Sequence, residues 1–190
     1  MSDYLRSARH IAAAAFAHIL RPGDSAVDAT MGRGRDTLQL CRLVGEMGRV
    51  YAFDVQPKAL EETQALLAAE GMLARASLHL LGHEHMARVV PPGQRLVAFN
   101  LGWLPGSDKS LTTRVDTTRA AVEAGLALLA PGGLMVICCY PGHPEGKREL
   151  DAVTALARGL PPQAYSALMH TFVNSGPEAP VAFIIEKQNT

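Results

Sequence analysis

Segments with strand-like and helix-like patterns alternate along almost the whole chain, and this alternation limits the fold more than any other feature. Short apolar runs rich in β-branched residues predict strands at 25–30, 48–55, 77–81, 95–101 and 134–140. Helical spacing of apolar residues predicts helices between and around them, at 7–20, 36–44, 57–70, 85–90, 113–129 and 146–159. Because strand–helix–strand units place successive strands parallel, the pattern predicts a doubly wound α/β sheet.

The end of the chain departs from this alternation. Two strand-like runs, 167–174 and 181–187, are joined by SGPEAP, which is short enough for a hairpin. We therefore predict a seven-stranded, mostly parallel sheet that ends in an antiparallel hairpin strand. That ending is typical of the Rossmann-like class I methyltransferase fold, whereas a dinucleotide-binding domain closes with a sixth parallel strand. A chain of 190 residues suits one domain, predicted over 1–190.

Composition excludes several classes of protein. The 18 Lys and Arg balance the 18 Asp and Glu, so bulk charge attracts neither nucleic acid nor an anionic membrane, and RNA would need a local basic patch. No stretch approaches the roughly 18 apolar residues of a membrane span. Three cysteines, two of them the adjacent Cys138 and Cys139, argue against a disulfide framework and favour a cytoplasmic location. We expect both to be core residues on opposite faces of a strand. The oligomeric state stays open, a homodimer included.

The loop after the first predicted strand is a candidate cofactor site. It reads DATMGRGRDT, with Gly32 and Gly34 one residue apart, but Thr37 stands where a dinucleotide fingerprint needs its third glycine. Asp54 ends the second strand 20 residues after Gly34, the position of an acid that accepts hydrogen bonds from ribose hydroxyls. The strand–loop–helix context therefore favours cofactor binding over an incidental tight turn.

The charges of this loop favour one cofactor. Asp36 opens the following helix, where its carboxylate would repel a pyrophosphate that a helix N-terminus otherwise attracts. Asp28 and Asp36 suit a ligand with a sulfonium and an ammonium, namely S-adenosylmethionine. Asp36 as a simple helix cap is an alternative that is compatible with this interpretation.

The second and third strands add polar groups to the same edge of the sheet. Gln56 follows the second strand and is predicted to reach the adenosine, while His83 follows the third strand, where adenine contacts are usually made. A zinc site built from His79, His83 and His85 is the alternative. It is disfavoured because His79 lies inside a strand and no cysteine or carboxylate completes a known spacing.

The fourth and fifth strands end in groups suited to an acceptor. Asn100-Leu-Gly-Trp-Leu-Pro105 is a loose version of the Asn/Asp-Pro-Pro-aromatic motif of amino-methylating enzymes, in which amide oxygens accept hydrogen bonds from the target amine. Trp103 would stack on a base or simply cover the sheet edge. Tyr140 and His143 follow the fifth strand. His143 would take a proton from a target ammonium, or mark no more than a turn.

Six motifs in order resemble one family. DATMGRGRDT, YAFDVQ, LGHEHM, FNLGWLPGSDKSLTT, LAPGGLMVICCYPGH and FVNSGPEAPVAFIIEK span nearly the whole chain. Together they resemble small bacterial methyltransferases long labelled rRNA methylases and associated with methylating the 5-aminomethyl group of tRNA wobble (2-thio)uridine. FNLGxLPGxDK and YxGHxxG are not general methyltransferase motifs, so the match is specific. It implies S-adenosylmethionine as cofactor, S-adenosylhomocysteine as product, and the anticodon region of tRNA as substrate.

The resemblance also assigns roles to residues. The cofactor site that it implies adds to Asp36 the residues Asp28, Thr30, Gly32, Arg33, Gly34, Arg35, Asp54, Gln56, Gly82, His83 and Asn100. It implies an acceptor site of Asn100, Leu101, Gly102, Trp103, Pro105, Lys109, Tyr140 and His143, with Asn100, Tyr140 and His143 as the catalytic residues. Arg33 and Arg35 depart from the family, which commonly has Asn and His there, so these two arginines are candidates to meet RNA phosphate instead.

N-methylation of the tRNA amine is the leading hypothesis. The alternatives are methylation of rRNA or of a small molecule, a nicotinamide oxidoreductase, and a non-catalytic binding module on the same fold. A basic face for tRNA would draw on Arg6, Arg9, Lys109, Arg114 and Arg119, whose clustering sequence does not show. The missing third glycine and the terminal hairpin argue against the oxidoreductase.

Overall fold

The computed structural model describes residues 7–103 and 111–189. Within them the helices are α1 (Ala8–Ile19), α2 (Arg35–Val44), α3 (Pro57–Ala69), α4 (Val115–Leu128) and α5 (Pro144–Gly159). The strands are β1 (Ser25–Asp28), β2 (Arg49–Asp54), β3 (Ala76–Leu80), β4 (Gln94–Asn100), β5 (Leu129–Cys139), β6 (Tyr165–His170) and β7 (Val181–Lys187). Two 3₁₀-helices, Leu73–Arg75 and His83–Arg88, flank β3.

The strands form one seven-stranded sheet in the order β3-β2-β1-β4-β5-β7-β6. The first five strands are parallel, and β7 runs antiparallel to both of its neighbours, β5 and β6. The predicted fold, including the antiparallel hairpin strand, is confirmed. The strand order reverses between β1 and β4, where a doubly wound sheet opens a crevice at its carboxyl edge.

Apolar side chains cover both faces of the sheet. One face packs against α4 and α5 through residues such as Phe99 and Val122, and the other packs against α1 and α2 through residues such as Phe16 and Leu40. Cys139 belongs to the first core and Cys138 to the second. Both thiols are free and buried, so the prediction that these adjacent cysteines are core residues on opposite faces is confirmed.

Three predicted boundaries differ from the structure. The turn expected at 131–133 lies inside β5, beside a register shift in its pairing with β4. Gly132 there has φ +69°, a conformation that glycine adopts without steric cost. The helix expected at 85–90 is the 3₁₀-helix His83–Arg88. In the terminal hairpin, β6 ends at His170, so the connection to β7 is longer than SGPEAP.

The loop after β1 fits tightly against α3. Gly34 is the N-cap of α2, with φ +75°, and a Cβ there would lie 2.8 Å from the side chain of Thr63. The Thr63 hydroxyl donates a hydrogen bond to the carbonyl oxygen of Gly32 at 3.0 Å. Glycine at 34 thus satisfies both a left-handed backbone and a close approach of two helices. None of the helices in the described residues is long and apolar enough to cross a membrane.

We expect Gly34→Ala to lower the free energy of unfolding more than Gly71→Ala. Both glycines have positive φ, but an added Cβ at Gly71 meets nothing within 4 Å. Each alanine costs about 1–2 kcal/mol for the left-handed backbone. Gly34→Ala adds an overpacking cost of about 1–3 kcal/mol against Thr63. Urea unfolding of the two variants measures the difference. Equal losses of unfolding free energy would show that α3 shifts at Thr63 without cost.

Candidate active site

The carboxyl ends of the parallel strands enclose a cavity of about 690 Å³. Its walls come from the segments that follow β1, β2, β3, β4 and β5, together with Arg9 from α1 and the segment before α4. The sequence-predicted residues at this cavity are Thr30, Gly32, Arg33, Arg35, Asp36, Asp54, Gln56, Gly82, His83, Asn100, Leu101, Gly102, Trp103, Tyr140 and His143. Pro105 and Lys109 lie outside the described residues.

Asp54 is held by the glycine loop. One carboxylate oxygen accepts a hydrogen bond from the backbone N–H of Gly32 at 3.1 Å, and the other accepts one from Gln56 N–H at 3.0 Å. Burial raises the pKa of Asp54, and these backbone donors partly offset the effect. Each oxygen keeps acceptor capacity, so the carboxylate is oriented and able to bind hydroxyl donors. This pair of acceptor oxygens fits the ribose hydroxyls of S-adenosylmethionine.

His83 closes the cavity beyond β3. The side chain is 7% exposed, and its Nδ1 donates a hydrogen bond to the Ala29 carbonyl oxygen at 3.2 Å. Burial lowers the pKa of His83, so the ring is neutral and Nε2 is left as an acceptor. Gly82 stands where a Cβ would collide with the carboxylate of Glu84, a cavity residue that the sequence analysis missed.

Asp28 lies behind the loop and does not line the cavity. Its carboxylate accepts hydrogen bonds from Thr30 N–H at 3.2 Å and from the Thr37 hydroxyl at 2.7 Å, and the residue is 2% exposed. The direct cofactor contact predicted for Asp28 does not fit this placement, because the carboxylate is occupied in tying the loop and α2 to β1. Gly34 also faces away, toward α3.

Asp36 joins two residues that are distant in sequence. One carboxylate oxygen accepts a hydrogen bond from Arg9 Nη2 at 2.6 Å, and the other accepts one from Asn100 Nδ2 at 3.1 Å. The N-cap of α2 is Gly34, so the alternative that Asp36 caps the helix is wrong. Arg9 neutralises the carboxylate from α1. The sequence analysis names Arg9 as a candidate for a basic face, but no motif marks it as the partner of Asp36.

Asn100 is fixed in orientation by this contact. Its backbone N–H donates to the Thr30 hydroxyl at 2.7 Å, and its side-chain NH₂ group donates to Asp36. The amide oxygen, Oδ1, is therefore the atom that can accept a hydrogen bond from a bound molecule. The arrangement suits an acceptor that carries N–H groups.

The rings of Trp103 and His143 pack against each other at the cavity. Their ring centroids are 4.6 Å apart with an interplanar angle of 58°. His143 is the N-cap of α5, and its Nδ1 accepts a hydrogen bond from Gly146 N–H at 3.2 Å. A Cβ at Gly146 would collide with the Tyr140 carbonyl oxygen and lie 2.7 Å from His143 Nε2. This packing explains the spacing of Tyr, His and Gly in YPGHPEG.

The hydrogen bond of the cap restricts what His143 can do chemically. A neutral imidazole that accepts at Nδ1 carries its proton on Nε2, so it offers a donor and not a base. Nε2 is buried and has no hydrogen-bond partner among the described residues. Tyr140 does not supply a base either, because burial raises the pKa of its phenol well above the ordinary value.

Arginines stand at the cavity in three places besides Arg9. Arg33 and Arg35 are exposed on the glycine loop, and Arg33 pairs with Glu62 at 3.4 Å. Arg114 is exposed at the N-cap of α4. Arg119 does not line the cavity and pairs with Glu123 at 3.1 Å, and Arg6 lies outside the described residues. Of the predicted basic face, Arg9 and Arg114 therefore reach the cavity.

The histidines near β3 do not form a metal centre. His79 lies in β3 and stacks on Phe53, with ring centroids 4.9 Å apart. Within residues 7–103 and 111–189, no group of three or more His, Cys, Asp or Glu side chains is placed to hold a metal ion.

The sheet order, the glycine loop and Asp54 at one cavity are the arrangement of a class I methyltransferase, which takes its methyl group from S-adenosylmethionine. The chain belongs, more particularly, to the family whose model is described as "Putative rRNA methylase", which matches residues 50–186.

Relatives agree with this assignment. The chain is 38% identical over 195 residues to the Arabidopsis thaliana chloroplastic tRNA (mnm(5)s(2)U34)-methyltransferase, with 97% of this chain and 71% of that protein covered. A Clostridium thermocellum crystal structure with the same family description superposes with a TM-score of 0.93 at 33% identity, covering 95% of this chain and 97% of that one. A Streptococcus mutans "putative methyltransferase" in complex with SAH superposes with a TM-score of 0.85 at 32% identity, covering 94% and 97%.

We expect Asp28 to make the protein less stable as the pH rises toward neutrality. Burial and the nearby charge of Asp36 raise the pKa of Asp28 from 3.8 to about 7. Between these two values the folded chain holds a proton that the unfolded chain has lost. The stabilisation is thus complete below the unfolded-state pKa and is lost as the pH rises through the folded-state pKa.

Urea unfolding at about pH 5 and about pH 7.5 tests the prediction, because most of the stabilisation is lost between these two pH values. Wild type should lose more stability between the two pH values than Asp28→Asn, whose amide keeps both hydrogen-bonding positions without a charge. Asp151→Asn removes one exposed negative charge elsewhere and serves as the control. The same pH dependence in Asp28→Asn and wild type would contradict the expectation.

Proposed function

We propose that the protein methylates the 5-aminomethyl group of the wobble (2-thio)uridine of tRNA. The observation that carries the proposal is the orientation of Asn100, whose amide Oδ1 is the acceptor for an N–H group in a cavity also lined by Trp103. The name of the 38% identical plant relative supports the same substrate. We infer a cytoplasmic location, in keeping with three buried free thiols.

The cofactor side of the cavity is proposed to comprise Thr30, Gly32, Asp54, Gln56 and His83. Asp54 would accept hydrogen bonds from the ribose hydroxyls. The neutral His83 ring would offer Nε2 as an acceptor near the adenine of the cofactor. The cofactor supplies a methyl group already activated by its bond to positively charged sulfur. The protein therefore has to contribute mainly proximity and alignment.

The acceptor amine must be neutral to react. Asn100 Oδ1 would accept one N–H of the amine and so direct its lone pair. The capped ring of His143 and the protonated phenol of Tyr140 do not fit the task of removing a proton from the ammonium form. We propose that this proton passes to solvent, and that His143 supports Trp103 as the wall on which the base stacks.

The RNA backbone is proposed to lie against the exposed arginines at the cavity. Arg35, the first residue of α2, and Arg114, the N-cap of α4, line different parts of the cavity wall, and both are exposed. Arginines position RNA by pairing with phosphate, independent of sequence. The same site without these contacts would serve a small-molecule acceptor, which is the alternative function.

Nucleoside mass spectrometry tests the substrate. We expect tRNA from cells without the gene to accumulate 5-aminomethyl-2-thiouridine, and purified protein with S-adenosylmethionine to convert it to the methylated nucleoside. Asn100→Ala should lower turnover by about 10²-fold or more while S-adenosylhomocysteine binds with unchanged affinity, since alignment and not cofactor binding is lost. Unchanged wobble nucleosides, with methyl transfer to rRNA or a small amine instead, would overturn the tRNA assignment.

We expect Arg35→Ala and Arg114→Ala to weaken tRNA binding and to reduce its salt dependence. Each lost phosphate contact should make the slope of log K against log salt shallower by roughly 0.7. Arg119→Ala is the matched control, because Arg119 is exposed but lies away from the cavity. Filter binding across a salt series measures the slopes. A response to Arg119→Ala equal to that of the other two would place the RNA elsewhere.

A further inference from the structure

We propose that Glu149 is a positioning residue that fixes the acceptor wall of the cavity from inside the protein. The acceptor wall is defined here as Gly102, Trp103, Thr112 and Thr113, four residues that line the cavity. The proposal rests on the proposed function for the identity of the acceptor, but the placement of the wall itself does not.

The two halves of the acceptor wall are bonded to each other. Thr113 N–H donates a hydrogen bond to the Gly102 carbonyl oxygen at 3.0 Å, and Gly102 N–H donates one to the Thr113 hydroxyl at 2.8 Å. Trp103 and Thr112 pair as an isolated antiparallel bridge. The position of Trp103 in the cavity therefore depends on where Thr113 is held.

Glu149 holds Thr113. The carboxylate lies on α5 and is 1% exposed, and one of its oxygens accepts a hydrogen bond from the Thr113 hydroxyl at 2.9 Å. The other oxygen accepts one from the Thr118 hydroxyl of α4 at 2.5 Å. Thr113 uses its hydroxyl as acceptor toward Gly102 and as donor toward Glu149, so the carboxylate dictates the direction of both bonds.

A second contact from α5 reaches the same wall. His143, the N-cap of α5, packs its ring on Trp103, while Glu149 lies less than two turns further along the helix. Glu145, between them, accepts a hydrogen bond from Val115 N–H at the start of α4. The helix α5 therefore contacts the acceptor wall twice. His143 packs on the indole of Trp103, and Glu149 accepts a hydrogen bond from Thr113, whose backbone is paired with that of Gly102.

Burying this carboxylate has a cost that argues for a role beyond packing. Burial raises the pKa of Glu149, and among the described residues the Thr118 and Thr113 hydroxyls stabilise its charged form by hydrogen bonding. A buried carboxylate is costly to desolvate, and an apolar side chain would fill the same space. What an apolar side chain would lose is the directional hold on Thr113.

The single tryptophan of the chain reports on the wall directly. Because the sequence contains one Trp, the fluorescence of the protein in the absence of any tRNA measures the surroundings of Trp103. We expect Glu149→Met, which removes both acceptors, and Thr113→Val to shift the emission maximum to longer wavelength, as the indole moves away from His143. Thr118→Val removes a bond to the same carboxylate without touching the wall, and should leave the emission unchanged.

Kinetics supply the second measurement. Loss of one buried hydrogen bond to a charged group is expected to raise the KM for tRNA by about tenfold or more, with S-adenosylhomocysteine affinity within about twofold of wild type. Thr118→Val should keep the wild-type KM. The double variant Glu149→Met/Thr113→Val should be no worse than the worse single variant, because both break one connection.

The outcomes separate the two proposals. Wild-type emission in folded Glu149→Met and Thr113→Val, or an equal shift in Thr118→Val, would overturn the positioning role. If Glu149→Met does not fold, Thr113→Val alone decides through its emission. Failure of the wild-type protein to methylate tRNA would remove the proposed substrate, while the emission of the three variants would still decide whether Glu149 positions the wall.

Discussion

The pairing of β1 with β4 is the contact on which the site depends. These strands are distant in sequence but adjacent in the sheet, with Asp28 opposite Ala98. Their pairing continues past the strand ends, where Asn100 N–H donates to the Thr30 hydroxyl. The glycine loop that follows β1 and the acceptor segment that follows β4 are thereby brought together where the strand order reverses. A sheet whose order reversed elsewhere would keep both segments at the same edge but would separate them by intervening strands.

The carboxylates around the cavity are stabilised in three different ways. Asp36 is partly exposed and pairs with Arg9, so its charge is balanced and its second oxygen can orient Asn100. Asp28 is buried beside Asp36, and its raised pKa makes the protonated form available near neutrality. Glu149 is buried among threonine hydroxyls. In each case the carboxylate ties two partners together, because its two oxygens can accept from two directions, and for Asp36 and Glu149 those partners are distant from the carboxylate in sequence.

Different kinds of group organise the two sides of the cavity. The proposed cofactor side of the cavity is organised by backbone groups: the Gly32 and Gln56 N–H groups orient Asp54. The proposed acceptor wall is contacted by side chains of α5, through the His143 ring on Trp103 and the Glu149 carboxylate on Thr113. One side of the cavity therefore depends on backbone groups at the sheet edge, and the other depends on side chains of one helix.

The sequence by itself determined the fold and most of the cavity. Alternating strand and helix patterns implied a doubly wound sheet, and parallel strands must then end at one edge, so polar residues at strand ends such as Asp54 and Asn100 had to converge. Only the tertiary structure decided what their side chains do. Arg9 on Asp36 and Glu149 on Thr118 are contacts between helices. Helix periodicity predicts which face of a helix is buried but not which side chain on another helix it meets.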